Sequence, residues 1–365
     1  MTDLPILRTS ERAAFKRCAW RWLQEFHYGY KPIDRQADAA WFGIGVHEAF
    51  VPWYLKGKRR GPHPAETFAA WCGDEIEYVK TWLGDDFEEA AWYGAKELGV
   101  AMLEGYVDHY GKDSQWSIIA TERPFRITIK RRGKAVAIFQ SRWDGVLRNL
   151  ADGRIYLLEH KTTNQITLPY LEIDDQGGSY FAVASVILRA EGILKPKEMI
   201  AGIIYNFLRK QMPDERPRNA EGLCLNKPTK KHYIEALTGV DDWHPSALSK
   251  MTIDQLDSIA AAHYIVVEGD VSKSQPSPLF VREIVERSPQ EQRTQLERIA
   301  DEVAVMNAVR DGTIPVTKTP TKDCPRCPFW LPCQLDERGN KREVHSIMKA
   351  DYVQVDPYED NYKSA

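Results

Sequence analysis

The amino-acid sequence predicts an α/β fold in which a mixed central sheet is flanked by helices, with a helical segment before it and a cysteine-bearing segment after it. Two observations carry that expectation. Apolar residues recur at helical spacing up to Tyr110 and then give way, from Trp116 on, to strand-like runs. The later elements follow a β-β-β-α-β order, that of a sheet carrying a helical crossover.

Taken in order, Thr9 or Ser10 is a candidate cap for a first helix in which Ala14, Phe15, Cys18, Trp22 and Phe26 repeat at helical intervals. A second helix is expected over 39–55, with Gly43, His47 and Phe50 on one face. Residues 64–110 read as helical with a break at Gly84-Asp85-Asp86. Strands are expected over 116–129, 135–149 and 154–161, joined by the basic turn Arg131-Arg132-Gly133 and by Leu150-Ala151-Asp152-Gly153. A helix over 175–190 leads to a β-type run at 198–208, and this crossover is long enough for the flanking strands to pair in parallel. Residues 211–233, rich in Pro, Arg, Asn and Lys, read as a long loop, before helical patterns at 243–262 and 289–311 and a short strand at 279–286. The expected organisation is a single domain over 1–337, with a helical segment at 50–115, sheet and helix at 116–210, and a Cys cluster at 320–335; 338–365 reads as a loosely attached polar tail.

The densest chemistry lies on the hairpin of the second and third strands. If its turn closes symmetrically, Asn149 faces Arg154 and Asp144 faces Glu159, and the period of two then puts Lys161 on the Glu159 face and His160 on the other. Facing carboxylates repel, so a fold that brings them together generally holds a cation between them. Oxygen ligands of this kind suit a hard divalent ion such as Mg2+ or Mn2+, and a lysine beside them can hold a water or a phosphate oxygen for metal-assisted phosphodiester hydrolysis. The alternative is a solvated charged face with a weak surface salt bridge. Ile155-Tyr156-Leu157-Leu158 weighs against it, because a nearly continuous apolar run belongs to an interior strand. Glu122, on the preceding strand, is a further candidate for the same site.

With 365 residues and 43% hydrophobic content, the chain can bury a large core. Lys and Arg number 49 against 52 Asp and Glu, so there is no global basic field of the kind that attracts nucleic acid, though basic clusters at 56–60, 130–134, 209–210, 216–218 and 230–231 can line a groove. No apolar run reaches the ~18 residues of a membrane span, and the first residues do not resemble a secretory signal, so a cytoplasmic protein without a membrane partner is expected. Cys324, Cys327 and Cys333 form a C-x2-C-x5-C cluster in a Pro-rich turn, the layout of a metal or iron-sulfur site lacking one ligand. Cys18, Cys72 and Cys224 are all candidates for the fourth, and spacing does not separate zinc from iron-sulfur.

Together these residues resemble the RecB-like branch of the PD-(D/E)xK nuclease superfamily, in particular its iron-sulfur members, the AddB-type nuclease domain and the CRISPR-associated RecB-like exonucleases. The matching pieces, in the family's order, are His47 in Gly43-Ile44-Gly45-Val46-His47, Asp144 in Arg142-Trp143-Asp144-Gly145-Val146, Glu159-His160-Lys161, and the Q-x-x-x-Y pair Gln176 and Tyr180. Trp143 stands where the superfamily name has Pro. The resemblance implies a restriction-endonuclease-like fold. It implies a Mg2+ or Mn2+ site formed by His47, Asp144, Glu159 and the main-chain carbonyl of His160, with Lys161 acting on the attacking water and Gln176 and Tyr180 on DNA. It also selects Cys18 as partner of Cys324, Cys327 and Cys333 around a [4Fe-4S] cluster. The implied activity is a DNA exonuclease acting on single strands or DNA ends in recombination, repair or phage DNA metabolism, in a bacterial, archaeal or phage-infected cell. The alternative is a DNA-end binding or assembly subunit of a CRISPR adaptation or helicase-nuclease complex. The chain has no Walker-type phosphate loop, so a helicase motor would be another protein.

Overall fold

The computed structural model describes residues 4–33 and 36–358, so residues 1–3 and 359–365, the outer ends of the expected domain and tail, lie outside it. In chain order the elements are β1 (Ile6–Leu7), α1 (Thr9–Arg17), α2 (Ala19–Trp22), β2 (Tyr30–Pro32), α3 (Ala39–Trp53), α4 (Pro64–Leu83), α5 (Glu89–Tyr110), β3 (Trp116–Arg131), β4 (Lys134–Asn149), β5 (Ile155–Thr163), α6 (Asp175–Ala190) and β6 (Gly202–Arg209). There follow α7 (Lys230–Leu237), α8 (Pro245–Leu248), α9 (Ile253–Ala262), β7 (Phe280–Glu286), α10 (Pro289–Arg310), α11 (Trp330–Glu337), α12 (Lys341–Asp351) and β8 (Tyr352–Gln354). Among the described residues no helix is long and apolar enough to cross a membrane.

The fold is mixed α/β, with a central mixed sheet flanked by helices. β4 pairs antiparallel with β3 and β5, β5 pairs parallel with β6, and β6 pairs antiparallel with β7. The parallel β5–β6 pair is the one the helical crossover predicts, and the β4–β5 ladder has the predicted register, from Arg148 opposite Ile155 to Gly145 opposite Leu158. β1 adds a short parallel pair at Ile138 and Phe139. One edge of β4 therefore carries β1 near its start and β5 near its end, which leaves the edge between Phe139 and Gly145 without a neighbouring strand in either ladder.

One layer of the core lies between the sheet and α6 and α10, where Leu157, Tyr205 and Phe207 meet Phe181, Leu188, Ile299 and Met306. Truncating a fully buried side chain such as Phe181 costs about 3–5 kcal/mol in sites of this kind. α6 can lie close to β6 because Gly177 has no side chain: a Cβ there would fall 1.9 Å from the Tyr205 hydroxyl. Against the other layer, Phe50 of α3 and Tyr54, the residue after its end, stack on the His160 ring at 4.3 Å and 5.8 Å.

The structure differs from the sequence expectation in three places. α1 begins at Thr9 with Arg8 before it, and the Arg8 amide is held by Glu11, so neither Thr9 nor Ser10 is the cap. Met212–Leu279 is a compact unit of its own, with a core of Tyr233, Leu237, Leu248, Leu256 and Ala260; the stretch read as a loop belongs to it, and α7 begins at Lys230. The stretch read as a tail folds, because α12 buries Met348 beside Trp20 and Phe329, and β8 pairs with β2.

Candidate active site

The gap on the edge of β4 opens onto a cavity of about 960 Å3 whose lining includes His47, Glu122, Asp144, Gln176 and Tyr180. Asp144 stands one residue beyond the last β4–β5 pair. With no strand partner there, its Oδ2 accepts the His160 amide at 2.7 Å, replacing the ladder bond with a side-chain bond that fixes the carboxylate. α3 brings His47 to the same point, its Nδ1 lying 3.3 Å from Glu122 Oε1 and 3.4 Å from Asp144 Oδ1.

Glu122 reaches the group from β3 by way of two backbone irregularities. A bulge between Ile118 and Ala120 shifts the β3–β4 register, so that Thr121 faces Gly145 and Arg123 faces Trp143, on either side of Glu122 and Asp144. Glu122 itself has φ +42°, a left-handed conformation that is unusual for a non-glycine residue and typical of functional sites. Among the described residues, His47, Glu122 and Asp144 are the group of three whose ligand atoms all lie within 4.8 Å of one another. An imidazole and two carboxylates in that arrangement fit a hard divalent cation.

Glu159 and Lys161 leave β5 on one side, as the alternation predicts. Glu159 Oε1 accepts a hydrogen bond from Lys161 Nζ at 2.8 Å. Lys161 Nζ also donates to Gln176 Oε1 at 2.5 Å, and Gln176 Nε2 donates to the Tyr180 hydroxyl, which lies 2.9 Å from Ser141 Oγ. The Tyr180 ring is buried in the core, so only its hydroxyl end belongs to the site. The His160 imidazole points to the opposite side, as expected.

The charge states follow from this packing. Burial, followed by the Asp144 charge, raises the Glu159 pKa to about 7, even though Lys161 draws it down. Burial would lower the pKa of Lys161, but the Glu159 carboxylate outweighs it and holds the ammonium charged. Burial would likewise favour neutral His47, and Asp144 and Glu122 reverse that, raising its pKa well above the ordinary histidine value. Burial would raise the Asp144 pKa, but the charge and hydrogen bond of His47, together with His160 and its amide, outweigh it and lower that pKa below the ordinary value.

Behind the site runs a buried polar network that the sequence reading missed. Asn206 Nδ2 lies 2.8 Å from His160 Nδ1 and 3.0 Å from the Tyr106 hydroxyl, while Asn206 Oδ1 accepts Arg282 Nε at 3.0 Å. Arg282 makes a two-pronged pair with Asp113 at 2.6 Å and 2.8 Å, and the Tyr54 hydroxyl donates to Asp113 at 2.7 Å. Burial lowers the His160 pKa to about 3, so its ring is a neutral, stacked prop. Asn206, a lone amide in the apolar run Ile203-Ile204-Tyr205-Asn206-Phe207-Leu208, is the one sequence signal for this network.

A second site joins the two ends of the main unit. Cys18 sits in extended backbone between α1 and α2, Cys324 and Cys327 bracket a single 3₁₀ turn, and Cys333 lies in α11; all four line one cavity of about 40 Å3. Cys72 is buried within α4, and Cys224 belongs to the Met212–Leu279 unit. None of these six cysteines is in a disulfide.

No curated protein matches the chain. A family model does: it describes the PD-(D/E)XK nuclease superfamily, whose members typically use Mg2+ or Mn2+, and it spans residues 9–334, from the start of α1 to the end of the Cys cluster. Strands β3 to β7, the open edge of β4 and the carboxylates beside it all lie within that span, and the chain belongs to the PD-(D/E)XK nuclease superfamily.

Proposed function

We propose that this nuclease is a divalent-metal-dependent deoxyribonuclease of the RecB-like, iron-sulfur branch, acting as an exonuclease on single strands or DNA ends in recombination, repair or phage DNA metabolism. The observation that carries the metal chemistry is the convergence of His47, Glu122 and Asp144 at an open gap in the sheet, beside Lys161. In this reading His47 and Asp144 hold the ion with Glu122 as a third ligand, and Glu159 joins them when Lys161 turns to substrate. The bound ion would polarise the scissile phosphate and lower the pKa of a coordinated water. Lys161 donates to the attacking water or a phosphate oxygen, and Gln176 sets its direction. Tyr180 braces Gln176, and the neutral His160 ring on Asn206 keeps the strand from turning.

End-labelled single- and double-stranded DNA incubated with Mn2+ tests the reading. Hydrolysis from an end that requires the metal is expected, with single strands or frayed duplexes preferred; no hydrolysis under any divalent ion would overturn it. Cys18, Cys324, Cys327 and Cys333 are proposed to hold a [4Fe-4S] cluster that staples the N-terminal helices to α11. Protein purified without oxygen should then be brown, absorbing near ~400 nm. Cys327→Ala should lose the colour and lower the melting temperature, whereas Cys72→Ala should keep the colour. Colourless protein with stoichiometric zinc would refute the cluster.

A further inference from the structure

The segment between β5 and α6 carries an apolar feature outside the proposed metal site. It contains a single 3₁₀ turn, Leu171–Ile173, directly before the helix that bears Gln176. The turn is fastened from several sides. Leu171 is buried, and Arg287 donates to the Leu171 and Glu172 carbonyls at 3.0 Å and 2.9 Å. The Ile173 amide donates to the Tyr170 carbonyl at 3.0 Å, and Asp174 Oδ2 accepts both the Gly177 amide and the Tyr205 hydroxyl.

From this rigid base two large apolar side chains face solvent: Tyr170 is 42% exposed and Ile173 is 72% exposed. Tyr170 caps the start of the turn and Ile173 ends it, three residues on, which sets the two on one side of it. The patch borders the site. Asp174, next to Ile173, lines the cavity, as does Gln176 on the first turn of the helix that follows. Solitary exposed apolar residues need no explanation, but an aromatic and a branched aliphatic side chain, paired on an anchored turn beside a phosphodiester-cleaving centre, do.

We propose that Tyr170 stacks on an unpaired base next to the scissile phosphate while Ile173 bars the complementary strand, so that the site takes a single-stranded end. This rests on the nuclease reading and narrows it to a substrate class. Aromatic faces bind bases of any sequence, which suits an enzyme reading strand state rather than sequence. A pre-ordered turn also loses little entropy on binding.

The test has a binding arm and a cleavage arm. With Ca2+ present and Asp144→Asn as background, an oligonucleotide carrying 2-aminopurine near its end should be quenched on binding. Adding Tyr170→Ala should remove the quench and weaken affinity about 5- to 150-fold, the range for loss of one stacked base. Tyr170→Phe should behave like Tyr170, and an abasic residue at the stacked position should make the Tyr and Ala proteins bind alike. In the cleavage arm, with Asp144 intact, Ile173→Ala should narrow the preference for single strands over blunt duplex. If the enzyme cleaves DNA while Tyr170→Ala changes neither quench nor affinity, the stacking proposal fails and the nuclease reading stands. If Tyr170-dependent quenching occurs without cleavage under any metal, the nuclease reading fails and the stacking surface stands.

Discussion

Glu159 and Lys161 leave one side of β5 and His160 leaves the other, and the two sides are built differently. On the first, an ion pair is shared with Gln176, which lines the open cavity, and burial has moved the carboxyl pKa to about 7. On the second, an aromatic stack and a closed set of hydrogen bonds tie His160 through Asn206 to Tyr106, Arg282 and Asp113. In the proposed mechanism, groups on the first side exchange one charged partner for another, a metal or a phosphate. Groups on the second cannot move without stranding a buried charge. In that mechanism consecutive residues of one strand divide reacting from holding.

The largest effect expected on the reacting side comes from Asp144→Asn. The amide keeps an oxygen for the His160 N–H and removes the charge that would face the metal. Turnover should fall by about 10²- to 10³-fold or more, the scale for losing one electrostatic element of an active site. Thermal melting of the metal-free protein should change little. If Asp144→Asn cleaves DNA at the parental rate, His47, Glu122 and Asp144 are not the metal site.

The holding side should give the opposite pattern. Arg282→Met leaves Asp113 buried, without its cation, at a cost of about 3–5 kcal/mol read from urea unfolding midpoints. Turnover per folded molecule should fall less than in Asp144→Asn. A variant with parental stability but no activity would mean that Arg282 belongs to the chemistry and that the contrast between the faces is wrong.

How far these faces could be read from the sequence depended on whether local spacing governs them. The register of β4 and β5 was legible because a short turn and a period of two determine it, and so Asp144, Glu159 and Lys161 were found in their strands. Glu122 was only a weak candidate, because its place depends on a bulge and a left-handed residue that no periodicity announces. The expected facing of Asp144 and Glu159 was geometric and did not foresee that Lys161 would take the Glu159 carboxylate. Asp113 and Arg282 lie 169 positions apart, and nothing in either neighbourhood predicts their pairing. The tail misled through composition: α12 is polar overall, yet Val344 and Met348 lie one turn apart and cover the cysteine site.

Glu11, a buried carboxylate outside both faces, offers the smallest effect and the control for the others. It is fully buried, accepts Trp22 Nε1 at 3.0 Å and pairs with Arg310 at 3.2 Å. Burial raises its pKa above the ordinary 4.5, and the bonds from Trp22 and Tyr358 and the charge of Arg310 recover only part of that. The folded protein therefore holds this proton more tightly than the unfolded chain does. The stabilisation is full below about pH 4.5 and is lost as pH rises through the folded-state value. Glu11→Gln keeps an oxygen for Trp22 and cannot titrate. Urea midpoints measured from pH 4 to 7 should show the parent losing stability relative to Glu11→Gln over the lower part of that range, then running parallel to it. Because Glu11 lies outside the cavity-lining set, the variant should cleave DNA like the parent. Curves that stay parallel throughout would mean that Trp22 and Arg310 fully offset the burial of Glu11, and that a buried carboxylate here needs no metal to remain charged.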